Sequence, residues 1–255
     1  LDLAGEQVAK VPIEIGEDFA VSRSKLKDVS KSVTTWNLAP DGARVVFGAR
    51  GDVFTVPAKF GPTRNLTQTP GIHERNAVWS PDGKWIAYVS DASGEDEIHI
   101  RPQDGSGTPT QLTTGADTYK YALVWSPDSK RILWSDKKNR LQFVEVESKQ
   151  STLVDQASWE MRDYTWSPDG QWIAFTRPEA RRFPNIQLYS LGTKQKIQVT
   201  DGWFDVGDAR FSSDGKYLFF VSARAFSPTY GRLEANHIYQ DMQNICLVTL
   251  TKETK

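Results

Sequence analysis

Five times along the chain a polar turn is followed by a strand-length run that is apolar at consecutive positions. The copies read "LAPDGARVVFGAR", "WSPDGKWIAYVSD", "WSPDSKRILWSD", "WSPDGQWIAFTR" and "FSSDGKYLFFVSAR". Counted from the glycine position of each turn, the third and fifth residues are Val45 and Phe47, Ile86 and Tyr88, Ile132 and Trp134, Ile173 and Phe175, Leu218 and Phe220. The fourth is apolar as well: Val46, Ala87, Leu133, Ala174 and Phe219. A half-buried strand alternates apolar and polar residues. These strands are apolar on both faces, so both faces must be covered. No amphipathic helical segment is present to cover them, which leaves other sheets.

The spacing of the copies says how. The turn aspartates Asp41, Asp82, Asp128, Asp169 and Asp214 are 41, 46, 41 and 45 residues apart. A period of ~40–50 residues with a hairpin in each copy marks a β-propeller blade, in which each small antiparallel sheet is sandwiched between two neighbours. The turn chemistry agrees. Proline presets the second position of a type I turn, aspartate tolerates the third, and glycine accepts the positive φ that closes the hairpin. Ser129 replaces that glycine in the third copy, and an αL serine costs roughly 1 kcal/mol. Third strands are expected at "DVFTVP", "EIHIRP", "LQFVEVE", "NIQLYSL" and "NICLVTL", and fourth strands at "PTRNLTQ", "PTQLTT", "KQSTLVD" and "KIQVTDG". The expectation is an all-β propeller of four-stranded blades at about 33–69, 73–115, 119–157, 161–202 and 206–250. Residues 1–32 supply a leading outer strand and linker.

The ends pose a closure question. "NICLVTL" is a third strand without a fourth, while "EQVAKVPIEI" reads as a fourth strand whose own blade is absent. Pairing of residues 7–15 with 245–250 would close a five-bladed ring. The rival arrangement is an arc of a seven-bladed ring. The chain opens on "LDLAGEQVAK" without an initiator methionine, which reads as a processed or cut end.

The tandem Trp-Ser-Pro-Asp-Gly-Lys hairpins resemble the Pro-Asp propeller repeats of TolB and of tricorn-type peptidases. The segments "ARGDVFTVPAKFGPTRNLTQTPGIHERNAVWSPDGKWIAYVSDASGEDEIHIRPQDGSG", "WSPDSKRILWSDKKNRLQFVEVESKQSTLVD" and "RDYTWSPDGQWIAF" narrow this. They resemble the second, larger propeller of tricorn-type serine peptidases over nearly the whole chain. That resemblance implies a seven-bladed parent propeller followed by a PDZ-like module and a catalytic domain. It implies a non-catalytic module that guides or filters peptides toward a distant active site, and a cytoplasmic location. A TolB-like protein-binding scaffold, periplasmic, is the alternative.

Composition changes little. Charged residues make up 25 % and the net charge is −1, so nothing points to nucleic acid or an anionic membrane surface. No apolar run approaches the ~18–20 residues of a membrane helix. Cys246, alone, cannot form an intrachain disulfide. There is no Gly-x-Ser-x-Gly elbow, no His-Glu-x-x-His and no phosphate loop, and His73, His99 and His237 lack short-spaced metal-ligand partners. No catalytic residue, cofactor or metal is therefore expected. The acidic stretch "SDASGEDE" at 90–97 lacks the alternating ligand spacing of a calcium loop and reads as a solvated loop. Trp79, Trp125 and Trp166 occupy one repeat position, which reads as packing between blades.

Two features suggest peptide contacts. Four residues before the tryptophan position stand Arg75, Tyr121 and Arg162, at the mouth of the expected central channel. Arginines there suit acidic or C-terminal carboxylates of peptides. The plainer reading is a charged rim paired with Glu74, Asp163 and Asp208. The second feature is the long link at 225–243, "AFSPTYGRLEANHIYQDMQ", which carries Phe226, Tyr230 and His237 and is expected to fold over one propeller face.

Overall fold

The computed structural model describes residues 12–14, 16, 27–225, 228–230, 237–239 and 241–251. A single 3-10 turn at Ser30–Ser32 precedes the first strand. Blade 1 comprises β1 (Val33–Leu38), β2 (Arg44–Ala49), β3 (Asp52–Pro57) and β4 (Arg64–Asn65). Blade 2 comprises β5 (Glu74–Trp79), β6 (Trp85–Ser90), β7 (Glu97–Pro102) and β8 (Thr110–Gln111). Blade 3 comprises β9 (Lys120–Trp125), β10 (Arg131–Asp136), β11 (Arg140–Glu145) and β12 (Ser151–Gln156). Blade 4 comprises β13 (Tyr164–Trp166), β14 (Trp172–Arg177), β15 (Asn185–Ser190) and β16 (Lys196–Gln198). Blade 5 comprises β17 (Val206–Phe211), β18 (Tyr217–Ser222) and β21 (Asn244–Thr249). In its long link, β19 (Pro228–Tyr230) and β20 (His237–Tyr239) form a separate two-stranded sheet. Four sheets thus have four antiparallel strands in sequence order, and the fifth has three among the described residues. The fold is the all-β propeller arrangement expected from the repeats.

The turns repeat one hydrogen-bond unit. Ser80, Ser126, Ser167 and Ser212 each donate Oγ–H to the aspartate two residues on, at 2.5 Å. Each serine oxygen also accepts the backbone N–H of the next strand's first residue: Trp85, Arg131, Trp172 and Tyr217. The aspartate accepts the N–H two positions further, from Lys84, Lys130, Gln171 and Lys216. Blade 1 has Ala39 in the serine position and keeps only the bond from Ala43 to Asp41. The closing residue is left-handed in all five turns, with φ of 67–70° at Gly42, Gly83, Gly170 and Gly215 and 59° at Ser129.

Each blade has a leading face and a trailing face, and the strand pattern assigns residues to both. Trp79, Ile86 and Tyr88 of blade 2 lead; they pack on Val46, Val53 and Leu66 of blade 1. Ala87, Val89, Ile98 and Ile100 of blade 2 trail; they meet Leu123, Trp125, Ile132 and Trp134 of blade 3. Leu133, Leu141 and Phe143 trail against Tyr164, Trp166, Ile173 and Phe175. Ala174, Ile186 and Leu188 trail against Val206, Ala209, Leu218 and Phe220. Trp79, Trp125 and Trp166 are therefore inter-blade core, buried to 5–7 % exposure.

The two ends of the stack are open. Leu38, at the tryptophan position of blade 1, is 52 % exposed and Trp36 is 71 % exposed. On blade 5, Ile245 is 80 % and Leu247 53 % exposed. Among the described residues the five blades follow one another in an arc. The expected pairing of residues 7–15 with β21 falls mostly on positions outside the described residues.

Candidate functional site

The first strand of each sheet stands at its inner edge: β1 packs beside β5, β5 beside β9, and β13 beside β17. Antiparallel order puts all the Pro-Asp turns at one end of the arc. The links between second and third strands, and those between blades, lie at the other end. Arg75, Tyr121 and Arg162 stand at this second end, where the inner strands or the links into them begin. The long link of blade 5 opens onto the same end.

These three residues fall into two groups of contacts, one around Arg75, Tyr119 and Tyr121 and one around Arg162. Arg75 of β5 donates to both carboxylate oxygens of Asp96, Nη1 at 2.9 Å to Oδ1 and Nη2 more closely to Oδ2. Its guanidinium carbon lies 3.9 Å from the centroid of the Tyr119 ring. Tyr119 meets Tyr121 edge-on, with centroids 5.3 Å apart. Partial enclosure, together with the charge of Glu160, pushes the Tyr121 phenol up. Glu160 in turn accepts a 2.6 Å hydrogen bond from Nη2 of Arg162. That partnership raises the Arg162 pKa and keeps the guanidinium charged.

Local backbone geometry shapes this end of the sheets. The register between β5 and β6 breaks between Arg75 and Val78, and that between β17 and β18 breaks between Gly207 and Arg210. Such bulges re-aim side chains at sheet rims. Asn76 and Asp208 sit inside these breaks with φ of 54° and 53°. The Asn76 amide donates to the Tyr121 carbonyl at 3.2 Å, tying blade 2 to blade 3.

Exposure divides the roles. Arg75 is 7 % exposed and is committed to Asp96, Tyr119 and the Lys120 carbonyl. Burial works against ionising Asp96, yet the Arg75 guanidinium holds its carboxyl below the usual range. Lys120 completes this buried group, with Nζ 2.6 Å from the Asp96 carbonyl and 3.6 Å from Glu97. A ligand arriving at this end meets Tyr119, 43 % exposed, then Tyr121 and the exposed Arg162. The ion partners differ from those expected at the rim. Arg75 uses Asp96 rather than Glu74, and Arg162 uses Glu160 rather than Asp163, which pairs with Arg210 instead. Tyr119, Asp96 and Glu160 carry no repeat signal of their own in the sequence. The one hint was the doubled tyrosine at 119 and 121.

In the long link, Tyr230 and His237 are direct register partners across β19 and β20. Phe226 lies outside the described residues. The acidic stretch at 90–97 is engaged by protein: Asp91 accepts the His73 N–H, Asp96 holds Arg75, and buried Glu97 accepts from Thr113 and Ala116. Among the described residues no group of three or more His, Cys, Asp or Glu side chains could hold a metal ion, and no helix is long and apolar enough to cross a membrane. A groove of about 810 Å³ opens at the opposite, Pro-Asp end, lined by Trp172, Leu188, Val199, Phe211 and Val248.

Comparison with known proteins gives a consistent result. The family model described as the tricorn protease second beta propeller domain matches residues 33–255. The chain is 27 % identical over 265 residues to tricorn protease homolog 1 of Streptomyces coelicolor, covering 99 % of this chain and 24 % of that protein. It is 26 % identical over 247 residues to a tricorn protease homolog of Saccharolobus solfataricus, covering 96 % and 22 %. The chain thus spans about a quarter of the length of these relatives. Among solved structures, the tricorn protease superposes with a TM-score of 0.78 at 15 % identity, over 89 % of this chain and 23 % of that one. A candidate TolB from Agrobacterium tumefaciens superposes with a TM-score of 0.58 at 20 % identity, over 86 % and 77 %. At these identities the structures speak to the fold. The family model carries the assignment: the chain belongs to the tricorn protease second β-propeller domain family.

Proposed function

We propose that this chain is a non-catalytic propeller module of a tricorn-like protease, which receives unfolded peptides at one end of the arc and guides them toward the remaining domains of the parent chain. The observation that carries this reading is the pair Tyr119 and Tyr121, backed by buried Arg75, together with exposed Arg162 at the same end of the sheets. Two tyrosine rings offer apolar surface with a polar tip at low entropic cost. Arg162 offers a charge for an acidic side chain or a terminal carboxylate. Glu160 already occupies part of that guanidinium, so a peptide carboxylate must compete for it. Weak, sequence-tolerant binding follows, which suits a guide better than a receptor.

The experiment is a fluorescence-anisotropy titration of the chain with labelled unstructured peptides that end in a free carboxylate or an amide. The free-acid peptides should bind more tightly, and Arg162→Ala should remove the difference. Tyr121→Ala should weaken both. Equal affinities in the wild type, unchanged by either substitution, would refute this site. The chain alone should leave the peptides uncut, and cleavage that tracks with the purified protein would refute the non-catalytic assignment.

A further inference from the structure

We propose that the notch between the outer strands of blades 1 and 2 binds a small oxyanion, such as a phosphate group. The notch has a volume of about 460 Å³. Arg64 and Asn65 of β4 line it on the blade 1 side, and Arg101, Asp104 and Gly105 line it on the blade 2 side. It lies at the Pro-Asp end of the sheets, away from Tyr119 and Tyr121, so it is independent of the peptide contacts proposed above.

Arg101 occupies a place that the other blades give to packing residues. It stands in register with Ile86. The matching residues Val45, Ile132, Ile173 and Leu218 face Val56, Val144, Tyr189 and Val248. A guanidinium brought into such a position loses water and needs compensation. Arg101 finds backbone carbonyls only. Its Nη1 donates to Leu66, and its Nη2 donates to Gly105 at 2.7 Å and to Gly107 at 3.2 Å. Carbonyls satisfy those N–H groups without cancelling the charge, and Nε is buried with no hydrogen-bond partner.

Arg64 is half-buried, yet it makes no hydrogen bond or ion pair among the described residues. In blade 2 the same place holds Thr110. A third guanidinium, Arg44, lies close by and donates to Thr55 and Pro62. Burial, and then the like charge of Arg64, lower its pKa. The matching arginine of blade 3, Arg131, instead pairs with Glu145 and Asp128. Two carboxylates stand near the notch. Asp104 is exposed and accepts the Ser106 N–H at 2.9 Å, and Asp52 accepts from Thr67 Oγ1 at 3.2 Å. Three arginines therefore face two acids, and the excess positive charge is half-buried. An anion would offset it. Donors for that anion are in place. Arg64 has its whole guanidinium free, and Asn65 accepts from Thr67 and Gln68 through Oδ1, which leaves Nδ2 to donate. Charge-assisted bonds of this kind are how arginine holds carboxylate and phosphate oxygens.

Equilibrium dialysis of the 255-residue chain against radiolabelled inorganic phosphate, at fixed ionic strength, tests this. The wild type should bind a single phosphate per chain, saturably. Arg64→Gln should weaken binding roughly tenfold or more. Arg101→Val should do the same, and it installs the residue that blades 1, 3 and 5 carry at that place. Both variants should keep the wild-type circular dichroism spectrum. Arg181→Gln removes an exposed arginine in the link between β14 and β15, outside the notch, and should bind as the wild type does. Excess acetate forms a second arm. Displacement of the phosphate extends the site to carboxylates, failure to displace restricts it to phosphate, and either result keeps the site. A wild type that binds no phosphate saturably overturns the proposal. So do Arg64→Gln and Arg101→Val proteins that bind as tightly as the wild type. An equal loss in Arg181→Gln also overturns it, because that pattern marks diffuse attraction to surface charge.

Discussion

The hydroxyl of Ser129 accepts a hydrogen bond from the backbone N–H of Asp82, 3.0 Å away and one blade earlier. Ser129 is the residue that replaces glycine in the third turn, and its φ of 59° confirms the left-handed position assigned from the sequence. If the cost of that conformation acted alone, glycine would stabilise the turn. The structure adds an opposing term. Relief of roughly 1 kcal/mol of αL strain offsets the loss of a hydrogen bond worth about 1 kcal/mol. Ser129→Gly should therefore leave stability within ~0.5 kcal/mol of wild type, while Ser129→Ala keeps the strain, loses the bond and costs about 1 kcal/mol. Urea denaturation of both variants checks this. A clear gain in Ser129→Gly would mean that the bond between turns contributes nothing.

Gly170 isolates the backbone effect. Its φ is 67°, and a Cβ built there would meet only the Pro127 Cδ, at an ordinary 3.8 Å. Gly170→Val should cost on the order of 1–3 kcal/mol through conformation alone. Gly170→Asn, which tolerates αL, should cost well under half as much. Equal losses in the two variants would point to crowding instead.

Burial predicts a contrast between two tryptophans. Trp125 is 7 % exposed between blades 2 and 3, and its indole N–H reaches the Val78 carbonyl at 3.4 Å. Trp125→Ala should cost about 3–5 kcal/mol. Trp36→Ala, at an exposed position of β1, should change stability by less than about 0.5 kcal/mol. Melting curves of the two variants separate them.

Glu74 gives a pH signature. It is 3 % exposed and accepts from Thr69 Oγ1 at 2.5 Å. Burial pushes its pKa up; bonds from Thr69 and Thr67 resist, and the charges of Asp52 and Asp91 add to the rise. A folded pKa above the unfolded one gives stability that is fully present below the unfolded value and is lost as pH rises through the folded one. Glu74→Gln stays neutral, so it should be more stable than wild type at neutral pH, and the gap should close as the pH falls through the glutamate range. A gap that widens on acidification would show that the glutamate is held charged.

Most of the fold could be read from residues 79–91 and their copies. Pro-Asp-Gly fixes a hairpin, and apolar residues at three consecutive strand positions demand cover on both faces. The site was harder to read. Arg75, Tyr121 and Arg162 follow from counting back from the tryptophan. Their partners Asp96 and Glu160 sit in links whose length varies from blade to blade, so no periodicity points to them. The bulge that sets Asn76 at positive φ has no turn residue to announce it. Burial turned Arg75 from an expected ligand contact into the support of Tyr119, and pattern alone gives no measure of depth at a strand end.

The proposed guiding role is tested most directly in the proposed tricorn-like parent by comparing cleavage of a long unstructured peptide with that of a short fluorogenic one, in wild type and in a Tyr121→Ala, Arg162→Ala double variant. A guide should matter only to substrates that must be led. The account predicts that kcat/KM for the long peptide falls several-fold while the short substrate is cut at the wild-type rate. Equal rates on the long peptide in the two proteins, or an equal fall on both substrates, would contradict it.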